Sequence, residues 1–410
     1  MVLAPLVFAA AVTPAPVAPA PAAPTSEVRP ATRPPYAYGK GLTFTSKSGR
    51  FSFKLQGRMS LRYEFNQKGD EVHHLPQVRR ARLLFSGNLG SEHVKYYVQL
   101  GFSGRDVKND LPAGASDLRT NNPLRDARLE FTRVRDFNLW IGQFKSPFSR
   151  QRMMSSAVLS MVDRSNVNAE FNLDRNIGVQ AFSKDLGGLG GRLAYYTGVF
   201  TGAGRNTFDA VDPGLLYVGR VEVLPFSKFD DYAENDLERA RKPGMSLGGA
   251  YAFQYRADAM RGVVGDRPAD GGTTDFHHVT ADLLFKWRGV TVASAFHMRR
   301  GVRRINGGAL DDAGAPLATV AARQGVGWYG QLGWLVPRLP FEMVGRYGMI
   351  RNTYGASSSL PNGDEAGGSL NWYFKGNDLK LQVDYFKLWD PAMGPAQGTD
   401  RVRVQLHMNF

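Results

Sequence analysis

The chain has 410 residues, with 51 Lys or Arg against 37 Asp or Glu, a formal net charge of +14 and no cysteine. The missing thiols exclude disulfide staples, Cys-based zinc sites and thiol catalysis, and a mean hydropathy of -0.31, with no apolar run near ~18 residues, excludes a spanning helix. So basic a balance favours anionic partners, but the basic residues are spread along the chain rather than clustered, which argues against nucleic acid.

The first segment, residues 1–12, holds a short apolar stretch from Val2 to Val12 that is signal-peptide-like, although a basic leader region is missing ahead of it. Either the true start lies upstream or the segment is an Ala/Pro-rich leader, and the first reading is preferred. Residues 13–41 alternate Pro and Ala from Thr13 to Pro35, which suits an extended, solvated periplasmic spacer. Ordered structure is expected to begin near Tyr38. No linker divides residues 42–410, which form a single domain.

Within that domain the dominant signal is a two-residue period. In Phe51 to Asn66 the residues Phe51, Phe53, Leu55, Gly57, Met59, Leu61, Tyr63 and Phe65 share one parity, and Lys54, Arg58, Arg62 and Glu64 share the other. Successive strand side chains point to opposite faces, so this strand has one apolar and one polar face. The pattern recurs from Val279 to Trp287 and from Val402 to Phe410. Sixteen such strands are predicted, from 51–66 and 78–89 at the start to 378–389 and 400–410 at the end. About 9–11 tilted residues already cross a bilayer, so the fold class is an all-β transmembrane antiparallel barrel in the outer membrane of a Gram-negative bacterium.

The connections agree with this. Those after the second, fourth, tenth, twelfth and fourteenth strands are tight, such as Gly90-Ser91 and Arg288-Gly289, whereas those after odd strands are mostly long and rich in Gly, Pro, Asn and Asp. A barrel has this asymmetry, with short turns on one side and long loops on the other. The charged insertion Ser227 to Pro243 breaks the rule, and a short helix is its only available reading. All six tryptophans (Trp140, Trp287, Trp328, Trp334, Trp372 and Trp389) fall on predicted strands, many of them expected in interfacial girdles.

The blocks RRARLLFSGNLG (Arg79 to Gly90), LRDARLEF (Leu124 to Phe131), IGQFKSPFS (Ile141 to Ser149), SSAVLSMVDRS (Ser155 to Ser165) and DRNIGVQAFS (Asp174 to Ser183) resemble the phosphate-selective porin O and P family. Weaker similarity runs through GRVEVLPF (Gly219 to Phe226) and SLNWYFK (Ser369 to Lys375). The resemblance implies a sixteen-stranded homotrimer, in contact with lipid bilayer and lipopolysaccharide. Its third external loop would fold into the lumen, with basic residues that pass small anions such as phosphate. Members differ in substrate, so the fold is the firmer implication.

The residues themselves point to the same loop. Phe144 to Asp174 carries Lys145, Arg150, Arg152 and Arg164, with Arg175 just after it, against only Asp163, Glu170 and Asp174. Its apolar Met153, Met154, Val158, Leu159 and Met161 suit a loop tucked inside the barrel. Guanidinium groups bind oxyanions through forked hydrogen bonds, so these five cations are the candidate constriction and anion-binding residues. On the wall, parity turns Lys54, Arg58, Arg62, Arg80, Arg82 and Arg128 inward, together with Arg220 and Arg346. The acids Glu64, Asp126, Glu130, Glu222, Asp282, Glu342 and Asp384 face inward too, so anion preference should be modest.

Two motifs carry less. His73-His74 and His277-His278 invite a metal reading, but adjacent strand residues face opposite sides, and both pairs are expected to be solvated near loop ends. Gly187-Gly188 and Gly190-Gly191 lack the Lys-Ser/Thr of a phosphate loop and read as a turn. No cofactor, metal site or catalytic group is expected, and the chain is read as no enzyme. The alternatives are a lipase-like outer-membrane barrel, for which no Ser/His spacing speaks, and a surface adhesin whose long loops, such as Gly301 to Gln324, meet partners.

Overall fold

The structure is a computed structural model and describes residues 36–107, 122–206, 214–226, 228–305, 310–311, 313–315 and 317–410. The signal-like segment and most of the spacer lie outside the described residues. Two short strands, β1 (Tyr36–Ala37) and β2 (Gly41–Thr45), precede the wall. The wall itself is β3 (Ser52–Lys68), β4 (Glu71–Asn88), β5 (Val94–Gly101), β6 (Leu124–Val134), β7 (Phe137–Lys145), β8 (Arg175–Ser183), β9 (Leu193–Phe200), β10 (Leu216–Val223), β11 (Gly244–Ala257), β12 (Thr273–Trp287), β13 (Val290–Arg304), β14 (Gly325–Leu335), β15 (Phe341–Arg351), β16 (Gly363–Lys375), β17 (Leu379–Trp389) and β18 (Thr399–Asn409).

Strands β3 to β18 pair antiparallel in chain order, and β18 closes on β3, from Asp400 opposite Gln67 to Asn409 opposite Arg58. This is a closed sixteen-stranded barrel, wide enough to leave an aqueous lumen. β2 lies along the start of β3, Leu42 opposite Leu55 and Thr45 opposite Ser52, and so covers the stretch of edge that β18 does not reach. Closure gives each wall strand a neighbour on both sides over at least part of its length, as a spanning sheet requires.

Parity is the force that sets the wall. On β12, Thr274, Phe276, His278, Thr280, Asp282, Leu284 and Lys286 are buried toward the lumen, while Ala281 and Trp287 are exposed on the outside. A charge on the lipid side costs roughly 2–4 kcal/mol at mid-membrane. A slip of one residue would turn every lumen charge of a strand outward, so the register is strongly specified. At the tight turn between β12 and β13, Arg288 and Gly289 both have positive φ (51° and 87°), the two-residue geometry whose twist matches paired strands.

Five tryptophans form two outward rows. Trp287, Trp334 and Trp372 lie close to the short turns, and Trp328 and Trp389 flank Tyr347 nearer the long loops, with ring centroids 6.3 and 6.5 Å from it. Trp140 departs from the girdle expectation. It shares its side of the wall with Arg128, whose guanidinium lies 3.9 Å from the indole, and it points into the lumen.

Three further expectations are corrected. The connection after the first wall strand is not long: β3 and β4 run on to a two-residue turn at Gly69 and Asp70. Pro76 sits within β4, where a missing N–H is harmless because β5 pairs with β4 only from Arg82 to Asn88. His278 is not solvated but buried, its ring 5.5 Å from Phe276 and 5.9 Å from Phe148. The insertion after β10 forms no helix among its described residues.

Candidate functional site

Residues 146–174, the third connection at the long-loop end, fold into the lumen. Burial of Phe148, Met154, Leu159, Met161, Val162, Val167 and Phe171 gives the segment a hydrophobic reason to be there. Its polar groups are then matched around the wall. Lys380 on β17 donates to the Leu159 carbonyl at 2.7 Å, Asn371 on β16 to the Ser160 carbonyl at 2.7 Å, and Arg220 on β10 to the Phe148 carbonyl at 2.8 Å. Glu170 accepts from Arg299 on β13 and from Arg323.

Asp163 is the main charged anchor. Its carboxylate lies 2.6 Å from Arg62, 2.9 Å from Arg80, 3.4 Å from Arg79 and 3.7 Å from Arg403. Arg346 donates to its carbonyl at 3.1 Å. Burial alone would raise this carboxyl, but the four guanidiniums hold it well below the usual carboxylate range. Arg403 is also paired with Asp384 at 2.7 Å and Arg62 lies 3.7 Å from Glu64, so among the described residues Asp163 is the sole carboxylate partner of Arg79 and Arg80 only.

The segment 228–243 enters from the opposite, short-turn end. Asp231 accepts from Arg150 at 2.8 Å, and Tyr232 donates to Glu222 at 2.6 Å. Glu234 is buried and accepts from Gln151 at 3.0 Å, from the Ser160 N–H at 2.9 Å and from Gln331 at 3.3 Å. Asn235 reaches Tyr373 and Asn377, and Arg239 donates to the Leu335, Val336 and Leu339 carbonyls beneath the β14–β15 turn. Between them, the two segments pack against the lumen face of β10 to β17, leaving in that half a cavity of about 290 Å³ beside Asn166, Val167 and Glu365.

The other half, beside β4 to β9, stays open as a cavity of about 780 Å³. Fourteen of its lining residues are Lys or Arg and three are Asp, so it is a basic passage. It gathers Lys145, Arg152, Arg164 and Arg175 from the constriction candidates, and Arg58, Arg80, Arg82 and Arg128 from the wall candidates. Arg150, Lys54 and Arg62 are not among its lining residues. Arg150 instead lies 2.6 Å from Asp282, 2.8 Å from Asp231 and 3.6 Å from Glu222. Arg62 is committed to Asp163 and Gln405, and Lys54 stands near the short-turn end opposite Thr43 and Ser86.

The cations of the passage differ in how far they are neutralised. Arg82 makes a two-pronged pair with Asp106, 2.6 Å on each side, and Arg175 does the same with Asp126 at 3.1 and 3.0 Å. Arg152 is paired with Asp174. Arg128 pairs with Glu130 at 2.6 Å and lies between the rings of Tyr97 and Trp140. Lys145 and Arg164 differ: Lys145 donates to the Met153 and Met154 carbonyls at 3.1 and 2.8 Å, and Arg164 to the Gln151 and Met154 carbonyls at 2.6 and 2.7 Å. Arg58 likewise meets only Asn409 and Ser155. Among the described residues no carboxylate lies within ion-pair distance of these three.

Two lining arginines escaped the parity reading because a bulge re-aims them. Arg79 has no partner on β3, where Ser60 pairs with Arg80 and Leu61 with Val78. Arg125 is skipped in the same way between Leu124 and Asp126. The adjacent basic residues Arg79 and Arg80 were the only hint in the sequence, since strict alternation sends one of any such pair outward.

Residues 53–221 match the family model described as phosphate-selective porin O and P. No curated protein matches the chain significantly. Solved structures with a similar fold include an anion-selective porin from Comamonas acidovorans (12% identity, 88% of this chain and 100% of that one, TM-score 0.53). They also include the outer membrane channel DcaP of Acinetobacter baumannii (13%, 90% and 100%, 0.54) and Salmonella typhi OmpF in complex with daunomycin (14%, 88% and 98%, 0.54). At these identities the likeness establishes the barrel, and the family match over β3 to β10 carries the rest. With a closed sixteen-stranded wall and a lumen lined by cations, the chain is an outer-membrane porin whose residues 53–221 carry the signature of the phosphate-selective porin O and P family.

Proposed function

We propose that this porin passes small solutes by diffusion with a preference for anions, phosphate among them, and that Lys145 and Arg164 set the preference. The observation that carries this is their convergence on one carbonyl, with no carboxylate beside them to cancel the field. Lys145 uses two of its three N–H donors on carbonyls and Arg164 spends only its Nε and one terminal nitrogen, so both retain donors for an oxyanion. Low-dielectric walls focus such a field along the passage. The neutralised arginines around them keep the preference modest.

The anion-selective porin from Comamonas acidovorans has the same architecture, which supports the reading. The conducting unit is proposed to be a homotrimer in bilayer and lipopolysaccharide, with residues 1–12 belonging to an export signal and 13–41 to a periplasmic spacer. Purified protein in a planar bilayer under a salt gradient tests the function. A reversal potential on the anion side, reduced current on adding phosphate and trimers on unheated SDS gels are expected. A reversal potential on the cation side would sink the proposal.

A further inference from the structure

The insertion after β10 is longer than a short-end turn needs and is rich in acids, with Asp230, Asp231, Glu234 and Asp236. Such a run ordinarily reads as a solvated tether. Asp230 stays exposed, but the other three carboxylates are spent on the wall and the inward loop. Asp231 holds Arg150 and Ser246, Glu234 holds Gln151, the Ser160 amide and Gln331, and Asp236 accepts from the Gly289 amide at 2.8 Å. The Glu234 amide also donates to the Val158 carbonyl at 3.0 Å. The inward loop is therefore gripped at Arg150, Gln151, Val158 and Ser160 by a segment that comes from the other mouth.

We infer that residues 228–243 are a latch, in which Glu234 positions the inward loop and the segment shuts the β10–β17 half of the lumen, so that solutes are confined to the basic passage. The charge of the shut half makes this more than packing. The shut half contains the wall acids Glu222, Asp282 and Glu342, all buried. Asp282 and Glu222 neutralise Arg150 and Arg220 there, and Glu342 is covered by Tyr373, Asn371 and Ser160. If the latch let go, that acid-bearing half would meet water beside the basic one. A wider pore with mixed charge conducts more and selects less. Selectivity thus depends on a segment that contributes only Tyr232 to the passage wall.

Glu234 is a positioning residue: it touches the loop, not the passage. This inference rests on the diffusion-channel reading, and the test separates the two. Single-channel conductance and reversal potential are measured in planar bilayers for the wild-type chain, for Glu234→Ala, and for a chain with 229–241 replaced by a two-residue Asn-Gly turn. Trimer gels and heat-shifted mobility serve as the folding control. The wild type must conduct, or the channel reading itself fails.

Given a conducting wild type, the shortened chain should conduct about twofold more or higher, with its reversal potential moved toward zero. Glu234→Ala should show the same direction at smaller size, with noisier open-channel current from a loosened loop. Glu234→Gln, which keeps an acceptor of the same shape, should restore much of the wild-type trace. If the shortened chain does not assemble, Glu234→Ala decides. A well-assembled Glu234→Ala channel with wild-type conductance, noise and reversal potential overturns the latch.

Discussion

The ammonium of Lys145 and the guanidinium of Arg164 donate to the same oxygen, the Met154 carbonyl, at 2.8 and 2.7 Å. Lys145 comes from the end of β7 and Arg164 from the far side of the inward loop. The loop therefore has to be seated for the two charges to meet. Two like charges around one neutral dipole repel each other, and a passing oxyanion relieves that repulsion. Selectivity and loop seating are thus one problem in this barrel.

Asp163→Asn is expected to disturb the seating. The substitution keeps the shape of the side chain but leaves Arg79 and Arg80 without a carboxylate, while Arg403 keeps Asp384 and Arg62 keeps the more distant Glu64. Leaving buried charges uncompensated costs about 3–5 kcal/mol, and the wall itself is untouched. The trimer should still form, with a lower melting temperature by circular dichroism and unsteady single-channel current. An unchanged melting curve and quiet current would show that the loop is held by its apolar residues alone.

Arg150 and Arg152 are expected to separate, although they lie on one short helical turn, Arg150–Met153. Arg150 is enclosed by Asp282, Asp231 and Glu222, whereas Arg152 lines the passage beside Asp174. Arg150→Ala should lower thermal stability, by a few kcal/mol at most, and leave ion preference nearly as it was. Arg152→Ala should do the reverse, a small loss of anion preference with ordinary stability. Screening over about 8 Å at physiological ionic strength bounds the second effect. Reversal potentials and melting curves for both variants check this.

The pH response follows from Asp163. A carboxylate whose folded pKa is depressed contributes stability that is present above its unfolded value, near 3.9, and is lost as pH falls through the folded one. Because Asp163 is held well below the usual range, the loop should stay seated from neutral pH down to at least about 4. Open-channel current should be equally quiet at pH 8 and pH 5. A loop that comes loose at pH 5 would mean the carboxylate is not the anchor.

Much of the barrel was legible because lipid on one side and water on the other impose a period of two, and β12 or β18 can be read directly from it. The β3–β4 turn was missed because His73 to Pro76 interrupts apolar alternation. Only the structure shows that, among the described residues, this stretch of β4 has no second neighbour and so tolerates proline. Eight of the fourteen cations of the passage were found by parity and by loop composition, but their neutralisation was not. Arg150 and Asp282 are 132 residues apart, and nothing local links them. Arg79 and Arg125 were hidden by bulges, which shift parity and left only the adjacent Arg79 and Arg80 as a hint. The latch was unreadable for the same reason as Arg150: its acids look solvated until the loop they hold is placed beside them.

The most direct measurement is the reversal potential, in one salt gradient, of the wild-type channel and of the double variant Lys145→Gln with Arg164→Gln. Both changes keep a hydrogen-bonding side chain and remove a charge, so trimers and conductance should persist. The wild type is expected to reverse on the anion side and the double variant to lie clearly closer to zero, with each single variant in between and phosphate losing its effect on the current. A double variant that assembles, conducts and reverses at the wild-type potential would contradict the assignment of anion preference to this pair.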